Sequence, residues 1–264
     1  MTTQIQNYLA TLPQPLFDAP VGSQLDSFAK YQPKPTRKSC ISVVGEEKKG
    51  KTHFSLTAPG PIVYFNFDAG LARVQPEGKF PNLDMRVGEI PPLTKEGHHD
   101  HVADGALKVW EWLKVQHVKA LDSARTVIYD SFTEVWELVR LARFGKLQSV
   151  QWFHFGPVNR EFHDFIREYA KHNANLILIH KVMAEKDDAG SKTGGYERKG
   201  FTHIGFDVDD YFSVDRDADG SFYVKVIESG HNAEITGKIF KEPSNTFTDI
   251  ALAMFPSSTP LDWL

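Results

Sequence analysis

The sequence predicts an α/β fold: a mostly parallel central sheet, helices on both faces, and a β-rich C-terminal edge. Three observations predict it. Short apolar runs at 40–44, 62–67, 126–129 and 176–179 have the length and β-branched content of buried strands. Stretches with helical spacing separate these runs, as the crossovers between parallel strands require. Beyond residue 200 the helical spacing gives way to short strand-like runs divided by turn residues.

A chain of 264 residues with 41% hydrophobic and 24% charged content can bury a sizeable core. No run of eighteen or more apolar residues is present, which excludes an ordinary membrane-spanning helix. The first ten residues lack the basic start and apolar stretch of a secretory signal. The single cysteine, Cys40, has no internal disulfide partner and opens an apolar segment, so it reads as a small core residue. A reducing cytoplasm is the compartment that fits. The formal net charge of −4 argues against coating nucleic acid by bulk charge, though not against a local basic groove.

Residues 1–38 read as an extension or linker, and 39–264 as the folded domain. Pro13, Pro15, Pro20, Pro33 and Pro35 interrupt any long helix, leaving weak helical spacing at 24–31. Lys34, Arg37 and Lys38 read as solvated linker charges. The first strand, 40–44, leads into a glycine-containing loop and a short helix over 50–58, which Pro59-Gly60-Pro61 ends. A second strand occupies 62–67 and a weaker one 84–90. A helix over 103–121 places Val109, Leu113 and Val115 among polar residues. Then come the strand 126–129, helices over 132–144 and 158–172, and the strand 176–179. Residues 186–200 carry no periodicity and read as a mobile loop. Strands at 209–214, 222–227 and 234–240 surround the turn Asp217-Ala218-Asp219-Gly220, and a helix near 248–255 closes the chain.

The chemistry concentrates at Gly45-Glu46-Glu47-Lys48-Lys49-Gly50-Lys51-Thr52, which matches G-x-x-x-x-G-K-[ST] between a strand and a helix. That spacing lets successive backbone N–H groups turn inward around a β-phosphate. Gly45 and Gly50 allow the turn, Lys51 places an ammonium near the β- and γ-phosphates, and Thr52 offers a hydroxyl to Mg²⁺. His53 follows on the helix and completes the expected nucleotide contacts. ATP and Mg²⁺ are the expected ligands.

A carboxylate at the end of a neighbouring strand must hold the metal's water shell. Asp130, ending the run Thr126-Val127-Ile128-Tyr129, is that candidate, and it also sits where a helix N-cap would. Asp68, after the second strand, is the candidate base for the attacking water, although a turn-forming role with Gly70 explains it equally. His180, at the tip of 176–179, stands where a polar group would sense a γ-phosphate, with a structural role as the alternative.

These residues, together with Tyr64-Phe65-Asn66-Phe67-Asp68, Val127-Ile128-Tyr129-Asp130-Ser131 and Leu178-Ile179-His180-Lys181, resemble phage-encoded P-loop ATPases with a RecA-like core. Some of that group are single-strand annealing recombination proteins. The resemblance covers roughly residues 39–230, and within it the phosphate loop is the one individually specific motif. It implies an ATPase working in recombination or replication, single-stranded DNA as partner, assembly into a ring or filament, and a single-stranded-DNA-binding protein among its contacts. Two departures stand out: the glutamate that RecA carries two residues after its second-strand aspartate is Gly70 here, and the lysines it carries after a late strand are absent from Glu228-Ser229-Gly230, which leaves Lys238 or Lys241 to substitute.

The segment 186–200 offers Lys192, Tyr196, Arg198 and Lys199 as candidate DNA contacts, since bases stack on aromatics while phosphates meet cations; Asp187, Asp188 and Glu197 dilute its charge. His98-His99-Asp100-His101 reads as a solvated loop rather than a metal site, because adjacent ligands rarely close a tetrahedron. Two other readings of the phosphate loop stay open: a small-molecule kinase, and a nucleotide-gated interaction module with little hydrolysis.

Overall fold

The computed structural model describes residues 37–68, 71–74, 80, 83–93, 99–146, 150–186 and 192–263. The N-terminal segment 1–36 and Gly70 therefore lie outside the described residues.

The expected fold class holds. Among the described residues the strands are β1 (Cys40–Val44), β2 (Ile62–Asn66), β3 (Met85–Gly88), β4 (Thr126–Asp130), β5 (Asn175–Ile179), β6 (Val182–Lys186), β7 (Lys192–Arg198), β8 (Asp210–Arg216), β9 (Phe222–Ser229) and β10 (Ile239–Lys241). The α-helices are α1 (Lys51–Ser55), α2 (Leu71–Val74), α3 (His99–Ser123), α4 (Phe132–Phe144), α5 (Phe155–Arg167) and α6 (Phe247–Met254). Eight strands form one sheet in the order β10-β9-β8-β1-β5-β4-β2-β3. From β8 to β3 every pairing is parallel, and β9 and β10 add antiparallel strands at the C-terminal edge.

Strand alternation sorts the core into two layers, because successive side chains point to opposite faces. Phe65, Val127, Tyr129, Leu176 and Leu178 pack with Trp110, Leu113, Val139 and Phe162 from α3, α4 and α5. Ile62, Tyr64, Ile128, Ile177 and Ile179 pack on the opposite face with Phe54, Ile250 and Met254 from α1 and α6. All five residues of β1, β4 and β5 are buried, as strands covered on both sides must be.

Several boundaries depart from the sequence reading. Within the mobile loop expected at 186–200, Lys192–Arg198 form a strand, β7, paired antiparallel with β6 with a register shift between Ala184 and Lys186, while 187–191 lie outside the described residues. Its pairing follows from main-chain hydrogen bonds, which need no apolar alternation, so periodicity had nothing to detect. The histidine-rich stretch is helical from His99, while His98 lies outside the described residues. The helix expected over 158–172 ends at Arg167 and tightens into a 3₁₀ turn over Glu168–Lys171. There Lys38 donates to the carbonyls of Tyr169, Ala170 and His172, and Arg37 pairs with Asp262. These two cations are thus held on the folded body rather than solvated in a linker. In place of the strand expected over 234–240, a short strand spans Ile239–Lys241, with a 3₁₀ turn over Ala233–Ile235 before it.

Candidate functional site

Parallel strands place their C-terminal ends on one edge of the sheet. β1, β5, β4 and β2 are consecutive neighbours, so the loop after Val44, His180, Asp130 and Asp68 arrive side by side although they span 45–180 in sequence. They border a cavity of about 740 Å³, within the usual range for a small-molecule site. Its lining includes Gly45, Lys51, Thr52, Asp68, Asp130 and His180. A separate cavity of about 600 Å³ lies between α3 and α5, lined by Val118, Pro157 and Phe165 among others. It holds none of these polar strand-end groups.

The loop from Gly45 to Gly50 is shaped by positive φ angles of 150° at Gly45, 63° at Lys48 and 104° at Gly50. Backbone turned this way points amides into a common concavity that attracts anions. Gly45 is required twice over: its φ disfavours any side chain, and a Cβ there would lie 2.3 Å from the Val214 carbonyl oxygen. The loop is braced from β8. Lys49 pairs with Asp215 at 2.7 Å, and Arg216 Nε donates to the Lys48 carbonyl at 3.1 Å. Glu46 and Glu47 line the cavity, and the Tyr196 hydroxyl bonds the Glu46 carboxylate. His53 sits between Phe80 and Phe222 at ring distances of 5.0 and 4.8 Å.

Lys51 folds its ammonium back over the loop, donating to the Gly45 and Glu46 carbonyls at 2.6 and 2.7 Å. Burial pulls its pKa down, while the Asp130 charge works in the opposite sense. The ammonium is therefore held at the loop's concavity with little solvation, where an anionic group gains most from it. Thr52 Oγ1 donates to Asp130 Oδ2 at 2.7 Å, and the buried Tyr64 hydroxyl donates to the same oxygen at 2.6 Å. Burial raises the Asp130 pKa, and the Thr52 and Tyr64 hydrogen bonds counter it. Hydroxyl and carboxylate oxygens at the base of a cavity form a hard donor set that fits Mg²⁺, which keeps most of its waters and takes few protein ligands. Among the described residues no cluster of three or more His, Cys, Asp or Glu gathers as a metal site.

His180 is buried with Nε2 unpartnered, and Ser131 Oγ next to Asp130 is likewise buried without a partner. Burial first, and the Arg198 charge second, push the His180 pKa down to about 3, so the ring is neutral at physiological pH. Two buried polar atoms without a partner, on residues that border the cavity, leave unused hydrogen-bonding capacity close to the Asp130 carboxylate. Asp68 also lines the cavity, half-buried.

The four candidate DNA contacts divide. Tyr196 is 56% exposed, and Lys199 is exposed at the cavity rim. Lys192 opens β7, its side chain outside those described. Arg198 differs from them: its guanidinium lies 4.3 Å from the Tyr211 ring centroid and 3.2 Å from Ser42 Oγ. A guanidinium held against the sheet in this way keeps fewer of its donors for phosphates. The hairpin's base is also pinned to α4, because the Lys181 amide donates to Thr133 Oγ1, which donates to the Lys199 carbonyl. Sequence reasoning missed Tyr64 and Arg216. Nothing in their local sequence marks them, since the partners that matter are 66 and 168 residues distant.

A family model described as an AAA domain matches residues 37–204. No curated protein matches the chain. Among solved structures the chain is similar to a KaiC-like protein from the hyperthermophilic archaeon Pyrococcus horikoshii OT3, at 11% identity and a TM-score of 0.43, over 77% of this chain and 84% of that one.

Proposed function

Because this chain belongs to the AAA-domain family, we propose that it is a Mg²⁺-dependent ATPase that engages single-stranded DNA and assembles with further copies of itself. The coarser part, a P-loop nucleotide-binding ATPase fold, is common to the family. The observation that carries the Mg²⁺-dependent ATPase reading is the convergence of Lys51, Thr52 and Asp130 on one concave loop, with the Thr52–Asp130 hydrogen bond at 2.7 Å joining loop to carboxylate.

In this reading the loop amides hold the β-phosphate, and Lys51 leaves the Gly45 and Glu46 carbonyls for the β- and γ-oxygens. Thr52 and Asp130 hold Mg²⁺, which supplies charge neutralisation across the phosphates. Asp68, at the end of the neighbouring strand, orients and deprotonates the attacking water. His180 is neutral, so its unpartnered Nε2 is left for the γ-phosphate region without adding charge. Catalysis is then positioning and electrostatic stabilisation, the mode phosphoryl transfer depends on.

Single-stranded DNA as the partner is supported by the hairpin β6–β7. It carries an exposed aromatic, Tyr196, beside an exposed cation, Lys199, at the rim of the same cavity. Stacking plus phosphate pairing is what an unpaired strand rewards. Tyr196 also contacts Glu46 in the phosphate loop, which gives strand binding and nucleotide binding a shared element. Self-assembly and a single-stranded-DNA-binding protein as partner rest on the resemblance alone. The test is ATP turnover measured with and without single-stranded DNA, alongside a mass measurement of the assembly. Turnover that DNA raises, in a species larger than one chain, is the expected result. Turnover indifferent to DNA with phosphate passed to a metabolite indicates a kinase, and binding without turnover indicates a nucleotide-gated module.

A further inference from the structure

The geometry points to Tyr64 as a positioning residue for the magnesium site, holding the Asp130 carboxylate so that one oxygen is fixed and the other is left to the ion's water shell. This rests on the reading of the loop as a Mg²⁺–nucleotide site and goes one shell beyond it.

Tyr64 lies in the middle of β2, paired in register with Ile128 of β4, and its ring is fully buried in the apolar layer beneath α1 and α6. Asp130 is two residues beyond Ile128 on the same face, so the phenol reaches up the sheet and ends on Oδ2 at 2.6 Å. Thr52 Oγ1, descending from α1, ends on that same oxygen at 2.7 Å. Among the described residues no donor reaches Oδ1. The carboxylate therefore has one satisfied oxygen and one open oxygen, and it borders the cavity. Two donors from two elements, a strand below and a helix above, fix both the rotation and the plane of the group.

Their roles differ once an ion arrives. Thr52 turns a lone pair to the metal, and its hydroxyl is then shared between ion and carboxylate. Tyr64 lies behind the carboxylate, its hydroxyl on Asp130 Oδ2. Its ring is held by packing in the apolar layer. Outer partners of metal-bound groups of this kind typically contribute about 10–100-fold to metal affinity or activity.

The experiment is Tyr64→Phe, which removes one oxygen and keeps the ring. Binding of a fluorescent ATP analogue is titrated without Mg²⁺ and across a Mg²⁺ series. The expected result is unchanged metal-free affinity, which also reports an intact loop, with the Mg²⁺ midpoint raised about 10-fold or more. Coincident Mg²⁺ midpoints for the variant and the wild type overturn the inference while leaving the nucleotide reading intact. A wild type that binds the analogue with no response to Mg²⁺ overturns both. Should Tyr64→Phe lose its fold, the same question is put to the wild type. The assigned Tyr64 Cζ NMR signal shifts when Mg²⁺ joins the nucleotide complex, and a signal that stays put overturns the inference.

Discussion

Replacing Gly45 by alanine separates two physical terms that act together at the phosphate loop. The position has φ 150°, a conformation that side chains resist, at about 1–2 kcal/mol. The added Cβ would also lie 2.3 Å from the Val214 carbonyl oxygen, roughly 1 Å short of ordinary contact at 3.4 Å. That oxygen belongs to β8, whose main chain pairs with β1 on one side and β9 on the other, so it has nowhere to retreat. Overpacking against fixed backbone adds about 1–3 kcal/mol. Gly50→Ala is the internal control. It has φ 104°, but its Cβ would meet only the Phe222 side chain, at 3.3 Å, which can give. Urea unfolding followed by tryptophan fluorescence is expected to place Gly50→Ala about 1–2 kcal/mol below the wild type, and Gly45→Ala about 2–5 kcal/mol below it. Against a typical stability of about 5–15 kcal/mol the second variant is marginal. It also shifts β1 from β8 and so loses nucleotide affinity. If the two variants unfold within about 0.5 kcal/mol of each other, the close approach of loop and β8 is not what makes Gly45 necessary.

Lys51→Ala removes a poorly solvated ammonium, so stability is unchanged or rises, while affinity for ATP falls about 10–100-fold, the worth of charge-assisted hydrogen bonds; equal ATP affinity by calorimetry contradicts this. Lys199→Ala lowers the salt slope of single-stranded DNA binding by about 0.7, one phosphate contact, whereas Arg198→Ala leaves the slope unchanged and speeds hydrogen exchange at Val182–Lys186; reversed outcomes place Arg198 on the DNA instead. His117 and His180 both have pKa values pushed down to about 3, largely by burial, from 6.5. The unfolded chain therefore takes up these protons first, so their stabilisation is complete above pH 6.5 and is lost on acidification towards pH 3, by about 1.4 kcal/mol per pH unit each. Imidazole ¹⁵N shifts showing both rings neutral at about pH 5 are expected, and rings already charged there refute the assignment.

Gly45 to Thr52 could be read directly because a phosphate loop is made of contiguous residues, and its two glycines and lysine are recognisable one by one. Asp130 was legible for a related reason: five buried residues in a row stop at a carboxylate, and a polar group at the end of a covered strand has few places to be. The helix 132–144 was read to the residue, with a turn-favouring Ser131 before it and Gly145 after it. Each of these is a local pattern, and local patterns survive without the fold.

Other features had no local pattern to survive. β6 and β7 alternate too weakly to announce a hairpin, and they form because their main chains pair with each other. Arg198 resembled its basic neighbours until Tyr211 and Ser42, from two different strands, gave its guanidinium an inward resting place. Tyr64 looked like one more core aromatic, and its hydroxyl acquires meaning only from a carboxylate one strand over.

The phosphate loop, the alternation of strands and helices, and the strand-end acids are legible along the chain, since they depend on spacing between near neighbours. Which strands pair, which oxygen of Asp130 is held, and which cations face solvent emerge with folding. Those outcomes depend on distances across a parallel sheet, where residues more than sixty positions apart come within 2.6 Å, and no spacing along the chain encodes them.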